Sequence, residues 1–292
     1  MYPRPFSYVR AESVEHAVSV LAEHGPDAAV LAGGCSLIHL MKYRLAAPEV
    51  LLDIGRLTNE LRFVEGDAER VRIGALISHA EAARNPATSA QPLLARVASR
   101  IADVQVRNMG TVVGGVCSLA PISDWVAPLL ALGGSVLVRS GSGQREIPSS
   151  EFVVGPYQSA LSEEELATEV RFPASQPRSA ASYRKLTVRA NDAVANCCVS
   201  LTLDGQGAIS AAGVAFGSIN PAPFRSPLAE QALIGDRPTE DVLENAAQVA
   251  LANVAGFEDA GGDAEFRRKA GAGLFKQAVR DAYQRANSGG DS

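Results

Sequence analysis

The chain has 292 residues, 47% of them hydrophobic and 20% charged, and carries a net charge of −5. That length allows two ordinary domains, each with its own core, and the composition excludes a disordered or fibrous chain. Net negative charge with dispersed Lys and Arg also excludes a general nucleic-acid binder, which needs surplus cations against phosphate.

Val14, Ala17, Val18 and Leu21 recur at helical spacing, and Gly25-Pro26 stops that helix. Residues 28–31 form a short apolar run, predicted as a strand, that enters Gly33-Gly34 with Ser36 as a candidate N-cap. Leu37, Leu40, Met41 and Leu45 predict a helix ending before Pro48, and 50–54 predicts a second strand. Further on, 71–73 predicts a strand, and 78–84 and 91–102 predict helices. Residues 107–124 are small, Gly-rich and almost uncharged, a texture read as loop. Strands are predicted at 135–139 and 169–172. The polar, Pro-containing stretch 174–182 is the expected domain boundary. Strands at 183–189, 194–203 and 208–217, then helices at 226–234, 238–253 and 263–287, predict an α+β second domain. The expected division is 1–175, with sub-domains near 1–57 and 58–175, then 176–288, with a disordered tail over 289–292.

The four cysteines, Cys35, Cys117, Cys197 and Cys198, include no CxxC pair. Neither a disulfide framework nor a cysteine-held metal centre is expected. The four histidines show no ligand spacing. The first residues hold no apolar run before a cleavage site. The longest uncharged stretches, 111–123 and 125–138, contain Gly and Pro and fall short of the ~20 apolar residues of a bilayer span. A soluble, cytoplasmic chain is expected.

Three groups of residues bear chemistry. Ala32-Gly33-Gly34-Cys35-Ser36 joins a strand to a helix. Glycines there permit the close backbone approach that a diphosphate needs, and a helix start adds favourable dipole; a plain tight turn explains the same residues. Residues 107–115 offer a second close approach, or a buried loop packing two sub-domains. Asp124 precedes an apolar helix and serves either as its N-cap or as an acceptor for ligand hydroxyls. Tyr183-Arg184-Lys185 with Asn191-Asp192 places a cation near a strand start, as a solvated charge or beside a bound ring.

Read together, these segments resemble a known family. AGGCSLIHLMKYRL (32–45) is similar to the AGGxSLxxxMKxRL signature of the FAD-binding medium subunits of molybdenum hydroxylases, the group of carbon monoxide dehydrogenase medium chains and the xanthine dehydrogenase flavin domain. VRNMGTVVGGVCSLAPISDW (106–125), IGALISHAE (73–81) and GVAFGSINPAPFRSPLAEQALIG (213–235) match in the same order. The resemblance implies an α+β fold: a two-part FAD-binding domain of the vanillyl-alcohol-oxidase-like type, followed by a small α+β domain. It places Ala32, Gly33, Gly34, Cys35, Ser36 and Leu37, with Thr111, Gly114 and Gly115, at the FAD pyrophosphate, Asp124 at cofactor hydroxyls, and Leu166 and Lys185 near the flavin. It implies an electron-transfer role beside two partners, a large molybdopterin subunit and a small subunit with two-iron, two-sulfur clusters, in a dimer of heterotrimers. A flavin-free assembly subunit and a self-contained flavin oxidoreductase are the alternatives. Where relatives have the first glycine of the pair this chain has Val113, so a re-formed loop is expected. Ala193 stands where relatives often carry an aromatic residue. Cys35, at a helix start, is expected to pack first and to react second, with a lowered pKa.

Overall fold

The computed structural model describes residues 2–188 and 192–289. Asn191 and the tail residues 290–292 lie outside the described residues.

The chain opens with β1 (Ser7–Arg10), α1 (Val14–His24), β2 (Ala28–Leu31), α2 (Leu37–Lys42) and β3 (Val50–Asp53). The strands form a parallel sheet in the order β1-β3-β2. Ser13 caps α1 by accepting the His16 N–H, and Val14, Ala17, Val18 and Leu21 are its buried face, as their spacing predicts. The predicted helix from Leu37 to Leu45 is shorter. Arg44 takes φ +60°, and the Leu45 N–H returns to the Leu40 carbonyl at 2.9 Å, closing the helix well before Pro48.

A second layer follows: α3 (Thr58–Leu61), β4 (Val64–Gly66), β5 (Arg70–Gly74), α4 (His79–Ala82), α5 (Leu93–Ala98), α6 (Val104–Met109), α7 (Val112–Cys117), α8 (Val126–Leu132), β6 (Ser135–Ser140), β7 (Gly143–Pro148), α9 (Ser149–Phe152), β8 (Val153–Gly155), β9 (Gln158–Ser159) and β10 (Leu166–Pro173). Five of these strands make an antiparallel sheet ordered β4-β5-β10-β6-β7. Strand β7 was not predicted, because its exposed polar residues carry no apolar alternation. Across this sheet, Arg72 bridges Glu65 at 2.6 Å and Glu169 at 2.7 Å, and Arg171 bridges Glu169 and Glu146. Burial raises the Glu169 pKa, but hydrogen bonds from Arg72 and Arg171 outweigh it, and the carboxyl stays below its ordinary value.

The last part comprises β11 (Ser179–Thr187), β12 (Ala193–Leu203), β13 (Ile209–Gly217), β14 (Phe224–Arg225), α10 (Pro227–Leu233), α11 (Glu240–Leu251) and α12 (Ala264–Asn287). The strands form an antiparallel meander in sequence order. The linker expected over 174–182 is shorter, since β11 already begins at Ser179; the strand ends at Thr187, Val188 is a bend, and residue 189 of the predicted strand lies outside the described residues. Side chains alternate across this sheet with period two. Cys197, Val199, Val214 and Phe216 face the helices, where Phe275 and Val279 of α12 seal the core. Each such Phe or Val contributes about 1.5–3 kcal/mol by leaving water. Ala181, Tyr183, Cys198 and Ala215 join the other core, shared with α8. The adjacent cysteines thus point to opposite faces, which rules out a bridge between them. Gly213 lies so close to α8 that an added Cβ would stand 1.9 Å from the Ala131 carbonyl oxygen. Among the described residues no helix is long and apolar enough to cross a membrane.

Candidate functional site

The first glycine segment leaves the carboxyl end of β2, where the Ile54 N–H still reaches the Leu31 carbonyl at 3.1 Å. Gly34 takes φ +72°, a left-handed conformation that a side chain disfavours. At Gly33 a Cβ would stand 2.0 Å from the Met109 carbonyl oxygen and 2.9 Å from the Gly110 Cα, so the two glycine-rich segments touch and only glycine fits between them. Among the described residues, the N–H groups from Gly33 through Leu37 donate no hydrogen bond. Successive free amides around a left-handed residue form a concavity suited to an anion, the property that a diphosphate requires.

Two expectations for this segment change. Ser36 occupies the cap position of α2, but with helical dihedrals and no side-chain cap bond, so its hydroxyl is not used by the helix. Cys35 is half-buried, with its Sγ 4.0 Å from the Val106 carbonyl. Burial, then the nearby Asp103 carboxylate, pushes its thiol pKa up rather than down. Packing against α6 outweighs any benefit of the short helix.

The second segment is not the loop its composition predicts. It folds as α6 and α7 with Gly110 and Thr111 between them. Asp103 caps α6 by accepting the Val106 N–H, and Thr111 caps α7 by accepting the Gly114 N–H at 3.1 Å. Val113 is helical and buried, and its φ is not positive, so a valine is accommodated there without backbone strain. Gly114 and Gly115 belong to the first turns of that helix. The Gly110–Val112 stretch is pinned by a bridge to α4: the His79 N–H donates to the Gly110 carbonyl and the Val112 N–H to the Ile77 carbonyl, both at 3.0 Å.

His79, which sequence reading left as one of several scattered histidines, is the hub of this packing. Its Nδ1 accepts the Trp125 indole N–H at 3.1 Å, which leaves its proton on Nε2. A Cβ on Gly110 would stand 2.9 Å from that Nε2, and one on Gly115 would stand 2.8 Å from Trp125 Cδ1. Burial, with a smaller contribution from Arg107, holds the His79 pKa down at about 4. No spacing rule marks this residue, because its partner is 46 positions away.

Asp124 is not an N-cap. Trp125 takes the cap position of α8, without a side-chain bond. The Asp124 carboxylate instead meets Lys185 Nζ at 3.1 Å and accepts the Tyr183 hydroxyl, and all three side chains are buried. Burial raises the Asp124 pKa, Lys185 and Tyr183 oppose that rise, and Asp192 adds to it. Burial, then the Asp124 charge, drives the Tyr183 pKa well upward. Lys185 is therefore no solvated strand charge: β11 carries it inward to the segment before α8. Ser123 ties that segment to α7 by donating its hydroxyl to the Gly115 carbonyl at 2.7 Å. Leu166 opens β10 opposite Arg139 of β6 and is part of the apolar core. Ala193 is buried at the start of β12.

Known proteins resemble this chain along nearly its whole length. The family described as FAD binding domain in molybdopterin dehydrogenase matches residues 4–175, and the CO dehydrogenase flavoprotein C-terminal domain matches residues 181–282. The chain is 34% identical to the carbon monoxide dehydrogenase medium chain of Hydrogenophaga pseudoflava, over 98% of this chain and 99% of that one. It is 33% identical to the glyceraldehyde dehydrogenase medium chain of Sulfolobus acidocaldarius, over 96% and 99%. The solved carbon monoxide dehydrogenase from Hydrogenophaga pseudoflava, in a form lacking the Mo-pyranopterin moiety, superposes with a TM-score of 0.93 at 35% identity, covering 97% of this chain and 99% of that one. The free amides, the glycine-only contact at Gly33 and the buried carboxylate suit a dinucleotide. With two family matches that together span nearly the whole sequence, the chain belongs to the FAD-binding medium subunits of the molybdenum hydroxylase-type dehydrogenases.

Proposed function

We propose that this chain holds FAD between its two glycine segments and the Asp124 cluster, and serves as the electron-transfer subunit of a heterotrimeric molybdenum hydroxylase. The observation that carries the reading is the run of unpartnered amides from Gly33 to Leu37, which touches the second glycine segment through Gly33. Ala32, Gly33, Gly34, Cys35, Ser36 and Leu37 would line the diphosphate, and the free Ser36 hydroxyl adds a donor. Thr111, Gly114 and Gly115 would face it from the second segment. Thr111 Oγ already accepts the Gly114 N–H and keeps its own proton to donate. Asp124 would accept cofactor hydroxyls, and Leu166 and Lys185 would lie toward the ring. The bound flavin supplies two-electron redox chemistry and one-electron exchange. The residues of this chain bind, orient and electrostatically bias it, and none acts as acid or base. Residues 1–175 would form the cofactor domain and 176–288 a second domain that closes on it.

In this proposal electrons arrive from two-iron, two-sulfur clusters of a small partner, drawn from substrate oxidised at a large molybdopterin subunit, and leave to an external acceptor. The complex would be a cytoplasmic dimer of heterotrimers. The test is the visible spectrum of the chain co-purified with its neighbouring subunits, followed by cofactor extraction. About one FAD per copy of this chain, reduced by substrate through the partners, is the expected result. An intact complex without flavin would make this chain a scaffold instead. Turnover by the chain alone would make it a self-contained oxidoreductase.

A further inference from the structure

The segment that presents Asp124 runs from Pro121 to Ser123, and its main chain is held from the other side of the molecule. Ser218 follows the end of β13 with φ +61°, a conformation unusual for a residue with a side chain. Both its N–H and its hydroxyl donate to the Pro121 carbonyl, each at 3.0 Å. Its own carbonyl accepts the Arg267 guanidinium at 2.9 Å, and the same nitrogen donates to the Val194 carbonyl at 2.8 Å. Arg267 is fully buried, paired with Asp259 and stacked on Phe257, so this anchor is fixed.

Asn196 supports the same segment. It is fully buried, and its Nδ2 lies 3.4 Å from Ser218 Oγ and 3.5 Å from the Ser123 carbonyl. In the sheet register it stands between Lys185 on β11 and Gly217 on β13. It covers Gly217 so closely that a Cβ there would meet its Oδ1 at 2.6 Å. That Oδ1 has no partner among the described residues. A buried acceptor left unpaired lowers stability. Stability alone therefore does not account for an amide at this position.

We propose that Ser218 and Asn196 are positioning residues for the cofactor site. They fix the carbonyls of Pro121 and Ser123, and so set where the Asp124 carboxylate stands, while Lys185 and Tyr183 from the same sheet set its charge and orientation. The strained turn at Ser218 is retained because it aims two donors at one carbonyl. This rests on reading Asp124 as a contact to FAD.

A double-mutant cycle on the full-length chain, read by titration with FAD and the quenching of its fluorescence, tests this. Ser218→Gly relieves the dihedral and removes the hydroxyl. Alone it should weaken FAD binding about five- to ten-fold, the size of one lost hydrogen bond. In an Asp124→Ala background it should change affinity less than about two-fold, because its effect passes through Asp124. An equal loss in both backgrounds, which a general structural role would give, overturns the proposal, and so does an unchanged affinity in the Ser218→Gly chain. Should that variant without FAD melt far below the wild type, Asn196→Ser takes its place in the same cycle and is judged by the same two results. Wild-type affinity in Asp124→Ala would overturn something different, the assignment of Asp124 itself.

Discussion

The two halves of the candidate site are built on opposite principles. The cradle at Gly33–Leu37 works by lacking side chains: its donors are main-chain amides, and its fit depends on a gap that only glycine leaves beside Met109. The cluster at Asp124, Lys185 and Tyr183 works by burying side chains that carry or modulate charge. A site of the first kind is damaged by adding atoms and a site of the second kind by removing them. The largest effect should come from addition. Gly33→Val places branched carbons where even a Cβ meets a carbonyl oxygen at 2.0 Å, and it should abolish FAD retention. Cofactor extraction checks this against Gly273→Ala, whose new methyl meets nothing within 4 Å and should leave flavin content unchanged. Normal flavin in the valine variant would remove the cradle from the site.

Removal should act more moderately. Asp124→Ala deletes an acceptor of charge-assisted hydrogen bonds, and FAD affinity should fall by about ten- to a hundred-fold with the fold intact. A lower melting temperature at unchanged affinity would show that the carboxylate serves packing alone.

His79 joins the two halves and is open to a pH measurement. Its folded pKa of about 4 lies below its ordinary 6.5, so the unfolded chain takes up a proton in that interval and the native chain does not. Stability therefore falls as pH drops from about 6.5 toward 4. The loss from this group between pH 7 and 5 is about 2 kcal/mol. His79→Gln keeps an acceptor for the Trp125 indole and should lose correspondingly less on acidification, which denaturant melts at the two pH values would resolve. An equal acid sensitivity in both chains would mean that His79 is protonated when folded. The smallest effect concerns Cys35. With its thiol pKa raised, alkylation at neutral pH should be slower than for an unfolded cysteine peptide, and Cys35→Ala should retain FAD. Rapid labelling would restore the reactive cysteine that its place before a helix suggests.

What sequence could and could not reveal divides along similar lines. Main-chain features have local signatures. The strand–glycine–helix order at 28–42 was legible because periodicity and turn chemistry lie in adjacent residues, and β12 and β13 were legible from their apolar runs, whereas the first four residues of β11 were read as linker. Within 107–124, read as loop, the helical residues 107–109 and 112–117 were misread because Gly114 and Gly115 are poor helix formers, although Asp103 and Thr111, each with its cap bond three residues on, carried the missing signal. Side-chain clusters have no such signature. Asp124 meets Tyr183 and Lys185 across 59 and 61 positions, so the local evidence favoured an N-cap that does not form. His79, Asn196 and Ser218 were beyond reach for the same reason: each acquires its role from a partner that only the packed sheets bring near.

The contact at Gly213 bears on how fast a ligand can leave. At Gly213 there is no space for even a methyl between β13 and α8, so the C-terminal sheet and that helix meet there main chain to main chain. Separating the two would expose Cys198 and Ala215, buried in the shared core, to water. A cofactor held, as we propose, by residues on both sides of this joint would leave more slowly the less often the joint opens. Replacing Gly213 should then shorten its residence time by loosening the β13–α8 seam, without altering any residue proposed to touch the ligand.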